Sequence, residues 1–164
     1  MKTVTVEPLE HASFLPFGLI ANQINPNTEK IGADPIEFYR DMAQLDLGTA
    51  SKASFSTCRV EQREFVIDVT EYHSSTGEAV LPLDADVLIH VAPATPNGVV
   101  PLEKFRVFRV PRGTLVVLRP GVWHHAPFSI HGVANVLIVL PERTYANDCT
   151  VVELPISDQI RIVV

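Results

Sequence analysis

The sequence predicts a single all-β domain built as a barrel or a sandwich, and three observations carry that reading. From Ala53 onward the chain breaks into short segments rich in Val, Ile, Leu, Phe and Thr: ASFSTCRVE, EFVIDVTEYH, AVLPLD, DVLIHVAP, FRVFRVP, TLVVLRP, NVLIVLP and CTVVELP. They recur roughly every 8–12 residues, the spacing that an antiparallel sandwich or barrel requires. The 13 prolines are spread along the chain instead of clustered, so they close many short elements. The 164 residues, 46% of them apolar, suit one domain that buries its own core without a disulfide or structural metal.

Taken in order, MKTVTVEPL reads as a strand ended by Pro8, and HASFLPFGLI as a short helical turn followed by a strand. ANQINPNTEKIGADP is polar and rich in turn residues, a loop and a candidate lid. The stretch from Asp34 to Leu47 admits two readings. With Asp34 as N-cap, Pro35 at the first helical position and Glu37 three residues after the cap, a helix would place Ile36, Tyr39 and Ala43 on one face. The alternative is an irregular edge strand; the helix is preferred. FRVFRV intersperses two arginines among apolar residues, so one face of that strand is expected to be solvated, whereas TLVVL and VLIVL are continuous apolar runs expected of strands buried on both faces. Thr95 to Pro101 is a loop between two strands. No solenoid period and no linker interrupts the chain, which gives one domain over residues 1–164.

Charge and cysteine content exclude several function classes. The net charge is −6 and Lys and Arg form no basic run, so neither nucleic acid nor an anionic membrane is an expected partner. Cys58 and Cys149 lack CxxC spacing and are read as small apolar residues, not a disulfide. The N-terminus carries no apolar signal-peptide core and no run is long enough to span a bilayer; the expected location is the cytoplasm.

Two of the six histidines sit in patterned surroundings. In Glu71-Tyr72-His73-Ser74-Ser75-Thr76-Gly77-Glu78, Glu71 and His73 are two apart and share one face of a strand. After the Ser-Thr-Gly turn, Glu78 opens the next strand and can point into the same cavity. In Gly113-Thr-Leu-Val-Val-Leu-Arg-Pro120-Gly121-Val-Trp-His124-His125, an apolar strand runs into a Pro-Gly turn that aims His124 back toward a barrel interior.

These segments resemble the two motifs of the cupin superfamily. The first reads Glu71-x-His73, four residues, Glu78, six residues, Ala85; the second reads Gly113, six residues, Pro120-Gly121, two residues, His124, three residues, Phe128. Glu71, Ala85 and Phe128 stand where the motifs have His, Gly and Asn. EYHSSTGEAVLPL, GVWHHAPF and Asn147-Asp148-Cys149 are further similar to segments of the ureidoglycolate lyase family, as are FYRDMA and STCR more faintly. Val117 and Leu118 replace that family's Tyr-His pair, and Leu140-Pro141 its Asp-Arg. The resemblance implies a cupin-like double-stranded β-helix, a jelly-roll barrel with one or two short helices near the N-terminus. It also implies a homodimer, and cleavage of a small polar 2-hydroxy acid derivative, ureidoglycolate, to glyoxylate and urea.

On this reading His73, Glu78 and His124 are the candidate catalytic residues. Glu71, His73, Glu78 and His124 are candidate ligands for one divalent ion: Mn, Fe, Ni or Zn. For His73 and His124 the plainer alternative is a core histidine bonded to backbone; for Glu71 and Glu78 it is a solvated carboxylate at a strand end. Arg59, where the family has an Arg, is a candidate clamp for a substrate carboxylate, weighed against a surface Arg paired with Glu61 or Glu64. Tyr39 is a candidate hydroxyl donor. His125 is expected to point away from His124, Trp123 to pack in the core or at a dimer contact, and His90 to be structural; His11 and His131 carry no assignment. Two further functions compete: another metal-dependent cupin enzyme, such as an isomerase or oxygenase, and a non-catalytic binder of small molecules.

Overall fold

A computed structural model describes residues 1–164. Its elements are β1 (Lys2–Pro8), α1 (His11–Phe14), β2 (Gly18–Asn22), β3 (Lys30–Ala33), β4 (Ile36–Tyr39), β5 (Ala53–Glu61), β6 (Val66–Ile67), β7 (Val69–Tyr72), β8 (Glu78–Pro82), β9 (Val87–Val91), β10 (Arg106–Val110), β11 (Thr114–Leu118), β12 (Phe128–Ser129), β13 (Val133–Pro141), α2 (Thr144–Asn147), β14 (Thr150–Glu153) and β15 (Ile160–Val163). Six strands form one sheet in the order β12-β9-β10-β1-β15-β6, and five form the other in the order β2-β11-β8-β13-β5. Between the sheets lies a core to which both contribute: Val87, Ile89, Val91, Phe108 and Val110 from one, Val80, Val116, Leu118, Val136 and Ile138 from the other. This is the jelly-roll barrel of the double-stranded β-helix class. No helix is long and apolar enough to cross a membrane.

The period of two along a strand explains a second core. Val87, Ile89 and Val91 of β9 face the barrel, so Leu88 faces the opposite side and joins Val107, Trp123, Phe128, Ile160 and Ile162 in a separate cluster. His90 has the parity of Leu88. Its ring meets Phe105 edge-on at 5.5 Å, and neither ring nitrogen has a hydrogen-bond partner. Burial, reinforced by the nearby His125, His124 and Arg63, pushes its pKa well below the ordinary histidine value, so it is neutral in the folded protein. The unfolded chain takes up that proton near pH ~6.5, so stability falls as pH drops below this value. Between pH 7.5 and 5.5 the loss from this one group is about 1.4 kcal/mol. His90→Leu is expected to remove that increment from the acid sensitivity, read by urea unfolding at the two pH values. An unchanged pH dependence in the variant would sink the assignment.

The stretch from Asp34 to Leu47 corrects one expectation: it is not a helix. β3 and β4 form an antiparallel hairpin in which Ala33 pairs with Ile36, leaving Asp34-Pro35 as a two-residue turn with a cis peptide bond. Gly32 adopts φ +91, where a Cβ would meet the Ile36 carbonyl oxygen at 2.5 Å. Lys30 pairs across the hairpin with Glu37, which also accepts from the Tyr39 hydroxyl at 3.0 Å. The residues that signal a helix start also serve a tight turn. A short helix here needs a buried apolar face, yet Ile36 and Phe38 are exposed. The one short helix near the N-terminus is α1, which sends Phe14 into the barrel core.

Candidate active site

The site is assembled where β7, paired with β14 in a two-stranded sheet of its own, ends and the Pro120-Gly121 turn returns the chain. Glu71 and His124 form an antiparallel bridge: Glu71 N donates to the His124 carbonyl at 2.6 Å, and His124 N donates to the Glu71 carbonyl at 2.8 Å. Gly121 N donates to the His73 carbonyl at 2.6 Å. Gly121 has φ +80, and a Cβ there would press on Ala94 at 2.8 Å, so the turn that delivers His124 needs glycine. Alternation then sorts the neighbours. Tyr72 and Trp123 stack at 4.6 Å on one side, while His73 and His124 lie with ring centroids 5.0 Å apart on the other.

Glu78, first residue of β8, closes the constellation. Its Oε2 lies 3.1 Å from Nε2 of His73 and 3.1 Å from Nε2 of His124. All three side chains are buried, with 3% (His73), 8% (Glu78) and 4% (His124) of their residue surface exposed. Glu71, half-buried, offers a ligand atom that lies with those of His73 and His124 within 4.8 Å of one another. Cys149 donates its thiol to Glu71 Oε2 at 3.3 Å; burial and Glu71 push that thiol up to about 12, so it stays protonated. Leu118 stands opposite Glu78 in the sheet register, giving the site an apolar wall on that side.

The electrostatics of the cluster demand positive charge at its centre. Burial alone raises the Glu78 pKa, but His124 and then His73 overcome it and bring the carboxyl down to about 2. Burial lowers His124 in turn, and Glu78 more than reverses it, leaving that imidazole above its ordinary value. Both rings turn Nδ1 outward onto backbone: His73 donates to the Asp148 carbonyl and His124 to the Val122 carbonyl, each at 2.8 Å. That arrangement commits Nε2 of both rings to Glu78. The charge that meets this carboxylate is a proton on His124 Nε2 or a cation among these atoms. A histidine pinned through Nδ1 to a carbonyl, with Nε2 facing carboxylates, is also how proteins orient imidazole ligands. Glu71, His73 and His124 therefore offer one carboxylate and two imidazoles that could hold one divalent ion, with Glu78 beside them.

Not every expected site residue is here. Arg59 turns outward because Cys58 and Val60 on the same strand face the barrel core; it pairs with Glu61 at 2.6 Å, so the expected carboxylate clamp is not in this cluster. Tyr39 sits on the β3–β4 hairpin, bonded to Glu37, and not among these side chains. His125 is half-buried and lies outside the cluster; burial lowers its pKa. Cys58 and Cys149 are both free. One participant had no role in the sequence reading: Asp148, after α2. Its carboxylate accepts from Ser74 N (2.7 Å), Ser75 N (2.9 Å), Ser75 Oγ (2.9 Å) and Thr76 Oγ1 (3.1 Å).

A family model described as ureidoglycolate lyase matches residues 1–162. A ureidoglycolate lyase of Burkholderia mallei is 29% identical over 143 residues, covering 85% of this chain and 82% of its own. That of Rhodobacter capsulatus is 29% identical over 126 residues, covering 76% and 77%. A dTDP sugar isomerase from Desulfovibrio desulfuricans G20 superposes with a TM-score of 0.48 at 16% identity, covering 85% of this chain and 86% of that one. The match across nearly every element that builds the site places this chain in the ureidoglycolate lyase family.

Proposed function

We propose that the protein is a carbon–nitrogen lyase that splits ureidoglycolate into glyoxylate and urea. The observation that carries this reading, beside family membership, is the buried carboxylate of Glu78 shared at 3.1 Å by two imidazoles. The reaction must remove the proton of the substrate's C2 hydroxyl, break the C2–N bond with its electron pair leaving on nitrogen, and protonate that nitrogen. Glu78 takes the hydroxyl proton as the carbonyl of glyoxylate forms, then passes the same proton to the departing ureido nitrogen. Urea leaves and Glu78 is again ionised, so the protein needs no outside proton. The anionic substrate raises the affinity of Glu78 for a proton by offsetting the positive charge that otherwise holds it near 2. Glu71, His73 and His124 would hold a divalent ion, which would supply positive charge for the substrate carboxylate and acidify the adjacent hydroxyl. The test is direct: purified protein with ureidoglycolate is expected to release glyoxylate and urea in equal amounts above the spontaneous rate. A rate equal to the spontaneous one, with and without added Mn²⁺, would overturn the reading.

We also infer a homodimer formed through the β5 edge of the five-stranded sheet. Register places Phe55, Val139, Ala79, Val117 and Leu19 in one apolar row on the face opposite the barrel core; Ala79 and Val117 are already buried within the chain, so the accessible part of the row is its β5 end at Phe55. Phe55, 74% exposed, lies on β5, the edge strand, which pairs with β13 alone in this sheet. An uncharged row ending at a free edge matches itself across a two-fold axis. Sedimentation is expected to show a dimer for the parent and a monomer for Phe55→Glu. A monomeric parent at tens of micromolar would remove the inference.

A further inference from the structure

We propose that Asp148 is the positioning residue of this site: it clamps the loop between His73 and Glu78 with its carboxylate and orients the His73 ring with its carbonyl. The inference rests on the reading of Glu78, His73 and His124 as the working groups. Four residues, Ser74 to Gly77, separate His73 from Glu78, and three of them donate to the Asp148 carboxylate through four bonds of 2.7–3.1 Å. The Asp148 carbonyl accepts from Nδ1 of His73 at 2.8 Å. One residue thus fixes both the separation of two site residues and the direction of one ring.

Asp148 can do this because it is anchored from behind. Its N–H donates to the Thr144 carbonyl at 2.8 Å, closing α2, and the buried Thr144 hydroxyl donates to the Pro141 carbonyl at 2.8 Å, tying α2 to the end of β13. Cys149, the next residue, reaches Glu71. Two clefts flank the clamped loop. One, of about 380 Å³, is lined by Tyr72, Ser74 and Gly121 among others; the second, of about 290 Å³, by Ser75, Thr76 and Asp148 among others. His73, Glu78 and His124 line neither. Loss of the clamp frees the loop and lets the His73 ring turn, which spoils convergence on Glu78 without removing any group that does chemistry.

The experiment compares Asp148→Ala, Asp148→Asn and the parent, with Asp84→Ala as control. Asp84 also ties a loop down through its carboxylate: from the connection between β8 and β9 it accepts from Asn135 N at 2.8 Å and Nδ2 at 2.6 Å on β13, but it touches none of the site residues. Asp148→Ala is expected to weaken Mn²⁺ binding, by calorimetry with the metal alone, about 10–100-fold, and to lower kcat by a similar factor with a smaller change in KM. Asp148→Asn keeps one carbonyl oxygen for Ser74 N and is expected to recover part of both losses. Asp84→Ala is expected to leave both quantities unchanged. Long-range ¹H–¹⁵N spectra of the His73 ring provide a readout independent of activity: the parent is expected to show a protonated, hydrogen-bonded Nδ1, and Asp148→Ala, which keeps the acceptor carbonyl but frees the loop that carries His73, to show that signature weakened. Should the parent neither bind Mn²⁺ nor release glyoxylate, the functional reading fails and the His73 spectrum alone decides the clamp. If Asp148→Ala does not fold, Asp148→Asn decides it on the same readouts. Parent-like metal affinity, kcat and His73 spectrum in the folded variants would overturn the proposal.

Discussion

Replacing Glu78 by Gln is expected to cut kcat for glyoxylate release by about 10²–10⁴-fold, the range spanned by removal of a general acid–base group. The substitution keeps the size and the planar head of the side chain but leaves an amide that cannot accept and return a proton. The fold is expected to survive it. Glu78 is buried on a strand, and its Oε2 has only the two imidazoles as partners; the amide of Gln can meet the same Nε2 atoms, its NH2 donating to a neutral ring and its oxygen accepting from a protonated one. The change also acts on His124. With the carboxylate gone, the largest raising influence is lost while burial persists, and the imidazole pKa falls. Glyoxylate release is followed by coupling to a reductase, and integrity by thermal unfolding. A folded Glu78→Gln variant that retains more than a tenth of the parent kcat would remove Glu78 from the proton path. The base would then have to be sought among Glu71 and the two histidines.

How much of this site is legible in sequence follows from how local each part is. Glu71, His73 and Glu78 are legible because one turn joins them: a spacing of two shares a strand face, and four intervening residues return the chain. His124 is legible from Pro120-Gly121, because a turn that requires glycine announces itself in composition. That these two segments meet is not legible from either one; the Glu71–His124 bridge is a tertiary fact. Asp148 binds a loop more than seventy residues upstream, and nothing in Asn147-Asp148-Cys149 points there. Arg59 fails for a simpler reason. On a strand a single step of register decides inside from outside, and neither the sequence around STCR nor its resemblance to a family segment says which of Cys58 and Arg59 faces the core. The helix expected after Asp34 fails because Asp-Pro followed by Glu is compatible with two local structures. Burial chooses between them, and burial depends on the rest of the chain.

The second large effect concerns the metal. The parent, purified without chelators, is expected to hold close to one divalent ion per chain, and His73→Ala/His124→Ala to hold none. The double substitution carries a built-in hazard. It strands the buried Glu78 carboxylate without either imidazole, and an uncompensated buried charge costs about 3–5 kcal/mol. In an unfolded variant, loss of metal reports only loss of fold, so the measurement belongs equally on a variant that also carries Glu78→Gln, where no charge is left behind. Proton linkage gives a second, independent reading. In the metal-free protein Glu78 holds a proton on His124 above the ordinary histidine range, and an ion bound at Nε2 must displace it. Mn²⁺ affinity is therefore expected to fall as pH drops through the His124 value, with protons released on binding, and to level off above it. Calorimetry in two buffers of different ionisation enthalpy counts those protons. Stoichiometric metal with proton release places the ion at the paired imidazoles. If neither the parent nor the parent supplied with Mn²⁺, Fe²⁺, Ni²⁺ or Zn²⁺ takes up metal, the two imidazoles are the only partners Glu78 has at this site. His73 and His124 then face the substrate carboxylate directly, and the same four residues work as an acid–base set.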